Sequence, residues 1–202
     1  KIYKVKENIN QKYNNFIKNK YFIHKNNQEN LSFVFAICEK LKIKKKLIIK
    51  TINKFKGLKY RQQIIYNSKK LCIINDSKST SFASSANLLN SYDNIFWILG
   101  GLPKLNDKLI FKKKKNMNIQ AYIFGKNKKQ FIANLKKKII FQTFSSIKNA
   151  LKKVLIDIQN TENKSKNTIL FSPASASFDK FKNFEERGEY FNSLIKTLKI
   201  NK

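Results

Sequence analysis

Ile95-Phe-Trp-Ile-Leu99 is an unbroken apolar run that stops at Gly100-Gly101. A strand with one face in water alternates apolar and polar residues; a continuous run of this length reads as a strand buried on both faces. Ile119 to Phe124, ending at Gly125, and Ile169 to Phe171, ending at Ser172-Pro173, read as strands of the same kind. Such strands need helices over both faces of their sheet, and the sequence between them supplies candidates. Helices are expected from about Phe82 to Tyr92 and from about Lys128 to Lys137. Ile147, Ala150, Leu151, Val154, Leu155 and Ile158 recur at helical spacing, as do Tyr190, Phe191, Leu194, Ile195 and Leu198. Gln62–Tyr66 and Leu71–Ile74 read as strands joined across Asn67-Ser68-Lys69-Lys70, and Ile139–Phe141 as another; Gln159 to Asn167 is a polar loop. The alternation predicts an α/β domain of three layers around a predominantly parallel, Rossmann-like sheet, without internal repeats.

Upstream the pattern is helical only. Asn30 to Leu41 is dense in apolar residues and reads as a largely buried helix, entered through the capping-type residues Asn26 to Asn30. A shorter helix, about Lys45 to Lys54, is expected to turn Leu47, Ile48 and Ile52 inward. Lys56-Gly57-Leu58 marks a boundary, and residues 1–24 have no clear period. Lys1 is not a natural start, so the sequence is expected to begin inside a longer protein.

The 202 residues have room for one ordinary domain and part of another, and 42% hydrophobic residues are enough for a core. No apolar run reaches the length of a membrane span. Cys38 and Cys72 lie in apolar runs without metal-ligand spacing, as expected of buried thiols in a reducing cytoplasm, and a single His24 rules out a His-clustered metal site. The net charge of +31 invites a nucleic-acid reading, but lysine supplies nearly all of it, alongside abundant Asn and Ile. That trio points to an A/T-rich genome. Arginine, which clamps phosphate and reads guanine, occurs only at 61 and 187. Specific nucleic-acid binding is therefore not expected, and the runs Lys112–Lys115 and Lys136–Lys138 read as solvated surface.

Chemistry is expected where buried strands end. In open α/β sheets ligands bind outside the carboxyl ends of the strands. Asn75-Asp-Ser-Lys-Ser-Thr80 leads from a strand into a helix, where backbone N–H groups and Lys78 suit an anion; helix capping by Asp76 or Ser77 accounts for the same residues. Gly100-Gly-Leu-Pro-Lys104 allows close backbone approach and projects Lys104 over the same edge. Ser172-Pro-Ala-Ser-Ala-Ser177 is a loop of small residues, followed by Phe178, Phe181 and Phe184, which are suited to wall a pocket, and by Glu185-Glu186-Arg187 at a helix entry.

Together these motifs resemble the Mur ligase family. Ser172 to Gly188 is similar to its C-terminal signature, and Asn75–Thr80 to the version carried by members that add D-glutamate; sister ligases and folate-polyglutamate ligases write that site differently. Gly100-Gly-x-x-Lys104, followed by Asp107, also fits, although Lys108 stands where an aromatic is usual. Phe55-Lys-Gly-Leu-Lys-Tyr-Arg61 resembles the hinge between the central and C-terminal domains, with Tyr60 in place of the usual His. Asn27-x-x-Asn30 resembles a central-domain motif near ATP, with Asn26 in place of His.

The resemblance implies a helical remnant of the central ATP-binding domain over 1–55 and a C-terminal, amino-acid-binding domain over 56–202. It implies D-glutamate binding by Thr80, Lys104, Ser177, Phe178 (through its backbone) and Phe184, and an approach to ATP by Asn27, Asn30, Arg61 and Asp76. The implied whole enzyme is a cytoplasmic, monomeric ligase that uses ATP and Mg2+. It joins D-glutamate to UDP-N-acetylmuramoyl-L-alanine through an acyl phosphate, in peptidoglycan precursor synthesis. The five glycines (57, 100, 101, 125 and 188) cannot build the family's phosphate loop, so this stretch alone is expected to be inactive. Alternatives are a non-catalytic ligase remnant, a basic binding module, and a sister ligase with another amino-acid substrate.

Overall fold

The structure is a computed structural model describing residues 5, 13–23, 25–111, 114, 117–161 and 165–198. Two compact units, 1–57 and 58–202, make up the chain. The first holds α1 (Lys25–Lys40) and α2 (Lys45–Lys54), preceded by 3-10 turns at Asn14–Phe16 and Lys20–Ile23. Its core is small: Leu31 and Phe35 of α1 meet Ile48 and Ile52 of α2, and Tyr13 stacks on Phe35 with ring centroids 4.2 Å apart. Helix α1 starts at Lys25, so Asn26 to Asn30 form its first turns rather than a cap preceding it. It is not largely buried either, since Phe33, Val34 and Ile37 are exposed; Leu47 of α2, expected inward, is exposed too. A two-helix core accepts one stripe per helix, and i, i+4 pairs fill it.

The second unit is a six-stranded sheet in the order β1-β2-β6-β3-β4-β5. The strands are β1 (Gln63–Asn67), β2 (Leu71–Asn75), β3 (Asn94–Gly100), β4 (Asn118–Phe124), β5 (Ile140–Phe144) and β6 (Asn167–Phe171). Only β1 runs antiparallel, in a hairpin with β2 that carries an irregularity between Ile64 and Tyr66. The other pairings are parallel. All seven residues of β3 are buried, as its apolar run requires. Successive side chains still alternate in direction. Ile95, Trp97 and Leu99 join Phe82, Leu88, Leu89, Phe131 and Leu135 of α3 (Phe82–Leu89) and α4 (Lys128–Leu135). Phe96 and Ile98 face the opposite layer, where α5 (Ile147–Gln159) and α6 (Phe184–Thr197) supply Ile147, Leu151, Val154, Phe191 and Ile195.

The three layers and the parallel sheet agree with the sequence expectation, with shifted ends. Helix α3 stops at Leu89 and not near Tyr92, α4 stops at Leu135, and β5 continues through Gln142 and Thr143 to Phe144. Lys136–Lys138 are exposed, as is Lys114; Lys112, Lys113, Lys115 and His24 lie outside the described residues. No described helix is long and apolar enough to cross a membrane.

Candidate functional site

Strand β6, sixth in the chain, inserts between β2 and β3. The loops leaving the carboxyl ends of β2, β6 and β3 therefore stand side by side. This reversal of strand order is where doubly wound sheets open a crevice. The loop after β2 carries Asp76, Lys78 and Thr80, the loop after β6 carries Ser177 and Phe178, and the loop after β3 carries Lys104.

Direct hydrogen bonds hold the second and third loops together. Leu102 and Ala176 exchange backbone bonds of 3.0 Å, Gly100 N–H donates to Pro173 O, and Ser175 Oγ donates to Gly100 O at 2.7 Å. Gly101 has φ +128, and a Cβ there would lie 2.5 Å from Ser175 Oγ and 2.7 Å from Ala176 O. Glycine is what lets these loops touch.

The loop after β2 is fixed to α6. Asn75 Nδ2 donates to Gly188 O and Asn192 Oδ1, and Ser77 Oγ donates to Phe184 O. The Lys78 ammonium lies 3.9 Å from the centroid of the Phe184 ring, so these two expected site residues do meet. Neither Asp76 nor Ser77 caps α3. Ser81 does, accepting from Ser84 N–H, while Asp107 Oδ2 accepts from Phe82 N–H across 2.8 Å. Asp107 is thus spent on holding the start of α3 to the loop that carries Lys104.

The Asp76 carboxyl is buried at the start of the loop after β2. Its Oδ1 accepts from Gln62 N–H at 3.0 Å and its Oδ2 from Ser172 Oγ at 2.9 Å. Burial pushes its pKa up to about 7 against the pull of those bonds and of Arg61 and Arg187. A chain of hydroxyls continues from it, Ser172 to Ser85 to Ser79 to Ser84, and reaches Ser81 at the cap of α3. Just upstream, Tyr60 and Gln62 have φ of 59° and 48°, left-handed conformations that cost roughly 1–2 kcal/mol each. Lys78 N–H donating to Tyr60 O, with Asp76 taking Gln62 N–H, holds them there. The Tyr60 hydroxyl donates to Glu189 Oε2 at 2.6 Å, a bond that pushes its pKa up to about 12, with burial adding to the rise. Its ring covers Gly188, where a Cβ would come within 2.4 Å.

Curated relatives match this chain over most of its length. UDP-N-acetylmuramoylalanine--D-glutamate ligase of Wolbachia sp. subsp. Brugia malayi (strain TRS) is 34% identical over 173 residues, 86% of this chain and 34% of the relative. The ligase of the same name from Rickettsia bellii (strain RML369-C) is 34% identical over 178 residues, 86% of this chain and 38% of the relative. Over these residues the chain is similar to ligases of the Mur family. The chain spans about a third of the length of these relatives. Among solved structures, crystal structure II of MurF from Acinetobacter baumannii shares the fold with a TM-score of 0.58 at 17% identity, over 85% of this chain and 38% of that one. The bifunctional folylpolyglutamate synthase/dihydrofolate synthase from Yersinia pestis CO92 gives 0.52 at 14% identity, over 83% and 38%. No protein-family model matches the sequence.

The residues that resemble Mur ligase motifs differ in exposure. Thr80 is half-buried just before the α3 cap, while Lys104 and Phe178 are exposed, the latter at 71%. Ser177 is 3% exposed, and its hydroxyl makes no hydrogen bond among the described residues. Arg61 is exposed. Asn27 is buried, with its amide donating to Tyr21 O at 2.7 Å, and Asn30 is exposed; both belong to the first unit. Of the aromatics suited to wall a pocket, only Phe181 lines the cavity of about 260 Å³ between the ends of β4 and β5 and α6, together with Phe124, Ile147 and Tyr190. Thr80, Lys104 and Ser177 do not border that cavity.

The described residues do not make a Mg2+ site. Among those described, no three His, Cys, Asp or Glu side chains are grouped to hold a metal, and both Asp76 oxygens are occupied by protein donors.

Sequence reasoning passed over Arg187, treating it as part of a charged helix entry. It is fully buried, and burial lowers its pKa to about 10, with Asp179 and Asp76 opposing the fall. The available signal was its type. In a chain where lysine supplies almost every positive charge, one of only two arginines occupies this position.

Proposed function

We propose that this chain is the amino-acid-binding part of an ATP-dependent Mur-family ligase that adds D-glutamate to UDP-N-acetylmuramoyl-L-alanine in peptidoglycan precursor synthesis. The observation that carries this reading is Ser177. A hydroxyl on a residue only 3% exposed, without a partner among the described residues, stands on the loop after β6, beside the ends of β2 and β3. Buried hydroxyls normally have partners, and a substrate carboxylate would supply one. Lys104 and Thr80, on the flanking loops, would complete a site for a dicarboxylic amino acid, with the Phe178 backbone and Phe184 beside it. The relatives named for D-glutamate ligation support this choice of amino acid.

In this reading residues 1–55 are part of an ATP-binding domain and 56–202 the amino-acid-binding domain. Asn27 and Asn30 of the first unit, and Arg61 and Asp76 of the second, would each contribute to ATP binding, with Asp76 acting through the backbone of Gln62, which it holds. The principal groups for ATP and Mg2+ come from outside these residues, so the stretch by itself is inactive. Its own part is to bind and orient the amine that is to be acylated, an effect of proximity. The enzyme works in the cytoplasm, as a monomer.

The test is to isolate the native protein carrying Ser172–Gly188 and follow phosphate release from ATP with UDP-N-acetylmuramoyl-L-alanine and D-glutamate. Lys104→Ala and Ser177→Ala are each expected to raise the KM for D-glutamate about tenfold or more, with the KM for ATP unchanged. Unchanged kinetics in both variants would overturn the site. Turnover with a different amino acid and none with D-glutamate would move the chain to a sister ligase.

A further inference from the structure

We propose that Arg187 is the positioning residue of the amino-acid site, setting the spacing between the three loops that carry Thr80, Lys104 and Ser177. The proposal rests on the reading of that crevice as the D-glutamate site.

The guanidinium is 0% exposed and spans two of the loops directly. Nε donates to Ser77 Oγ at 3.1 Å and Nη2 to Ser77 O at 2.7 Å, both on the loop after β2. Nη2 also donates to Ser175 O at 2.9 Å, and Nη1 to Ala176 O at 3.1 Å, on the loop after β6. The loop after β3 closes on the same group. A Cβ on Gly101 would lie 3.1 Å from Nη1, and Ser175, held by the guanidinium, donates to Gly100 O. Thr80 is three residues beyond Ser77, Ser177 directly follows Ala176, and Lys104 is two residues beyond Leu102, which pairs with Ala176.

Two features separate this from an ordinary structural arginine. Among the described residues no carboxylate forms a salt bridge with it; its charge is met by carbonyl and hydroxyl oxygens of the site loops. It also lies one turn into α6, after the cap at Asn183, where a positive charge opposes the helix dipole. Helix stability therefore does not account for an arginine here. The planar fork meets acceptors on two separate loops from three nitrogens held in fixed positions, whereas the single ammonium of lysine has three donors on one atom and cannot reproduce that spread.

The experiment is titration of the 202-residue chain with D-glutamate and, separately, L-glutamate, followed by amide NMR. Arg187→Lys is expected to weaken D-glutamate binding about tenfold or more, narrow the D-over-L preference, and shift amide signals mainly in 75–80, 100–104 and 172–178. Leu151→Ala, on the buried face of α5, is expected to lower stability without altering affinity or preference. Ser175→Ala removes the bond that carries the clamp to Gly100 and is expected to weaken binding in the same direction, so the result does not depend on Arg187→Lys folding. Unchanged affinity and preference in either Arg187→Lys or Ser175→Ala would overturn the positioning role while leaving the site standing. An equal loss in Leu151→Ala would overturn it too, as a general effect of stability. If the unsubstituted chain binds no D-glutamate, the reading of the site falls, and this proposal with it.

Discussion

Asp76 and Arg187 are both buried charges, yet they bear differently on stability. Arg187 keeps its charge by surrounding it with oxygen atoms. Asp76 has two donors and a pKa of about 7 in the fold, against roughly 3.9 in an unfolded chain. A group whose pKa rises on folding stabilises the fold fully below its unfolded pKa, and that contribution is lost as pH rises through the folded value. The chain is therefore expected to lose stability between about pH 4 and pH 7, by on the order of a few kcal/mol from this residue. Asp76→Asn should flatten most of that slope, as read from urea midpoints across the range. Asp179, also pushed up by burial, contributes a slope of the same sign that stays in the variant. Asp76 was legible as a candidate because it follows an apolar strand. Its depth was not, because the groups that bury it, Ser172 and the Gln62 backbone, come from other parts of the chain.

The elements show the same division between local and distant information. The apolar runs of β3 and β6 and the helical stripe of α5 were legible, since each is set by what packs on it along its whole length. The start of α1 was not, because polar Asn26 to Asn30 suit a cap and a solvated first turn equally well. The start of α3 was legible in position but not in mechanism. Ser81 and Ser84 form a local capping box there, while the carboxylate on Phe82 N–H arrives from Asp107, 25 residues away. Asp107→Ala is expected to cost about 1 kcal/mol, read as a lower urea midpoint, and to increase amide exchange at Phe82 and in the loop that carries Lys104. An unchanged midpoint together with unchanged exchange would count against Asp107 as the tie between them.

For the chain as a whole, the charge of +31 is a property of the surface more than of the crevice. It should attract polyanions without selecting among them. Binding to heparin or to unrelated RNAs is expected to fall ~10³-fold or more between about 50 and 200 mM salt, with no preference for one RNA over scrambled competitors. A strong preference that survives physiological salt would favour the basic binding-module alternative. The parallel three-layer class was legible from alternation alone, but strand order was not, because nothing local in Asn167–Phe171 says which neighbours it will choose.

That choice of neighbours also dictates a timetable. Strand β6 joins β2 on one side and β3 on the other, yet it is the last of the six to be synthesised. Until about residue 171 has left the ribosome, β2 and β3 lack the strand that separates them, and any half-sheets formed by β1-β2 and β3-β4-β5 would have open, apolar inner edges. Such edges pair readily with other chains. The segment that completes the crevice is thus also the one that ends the period in which a newborn chain is most exposed to aggregation.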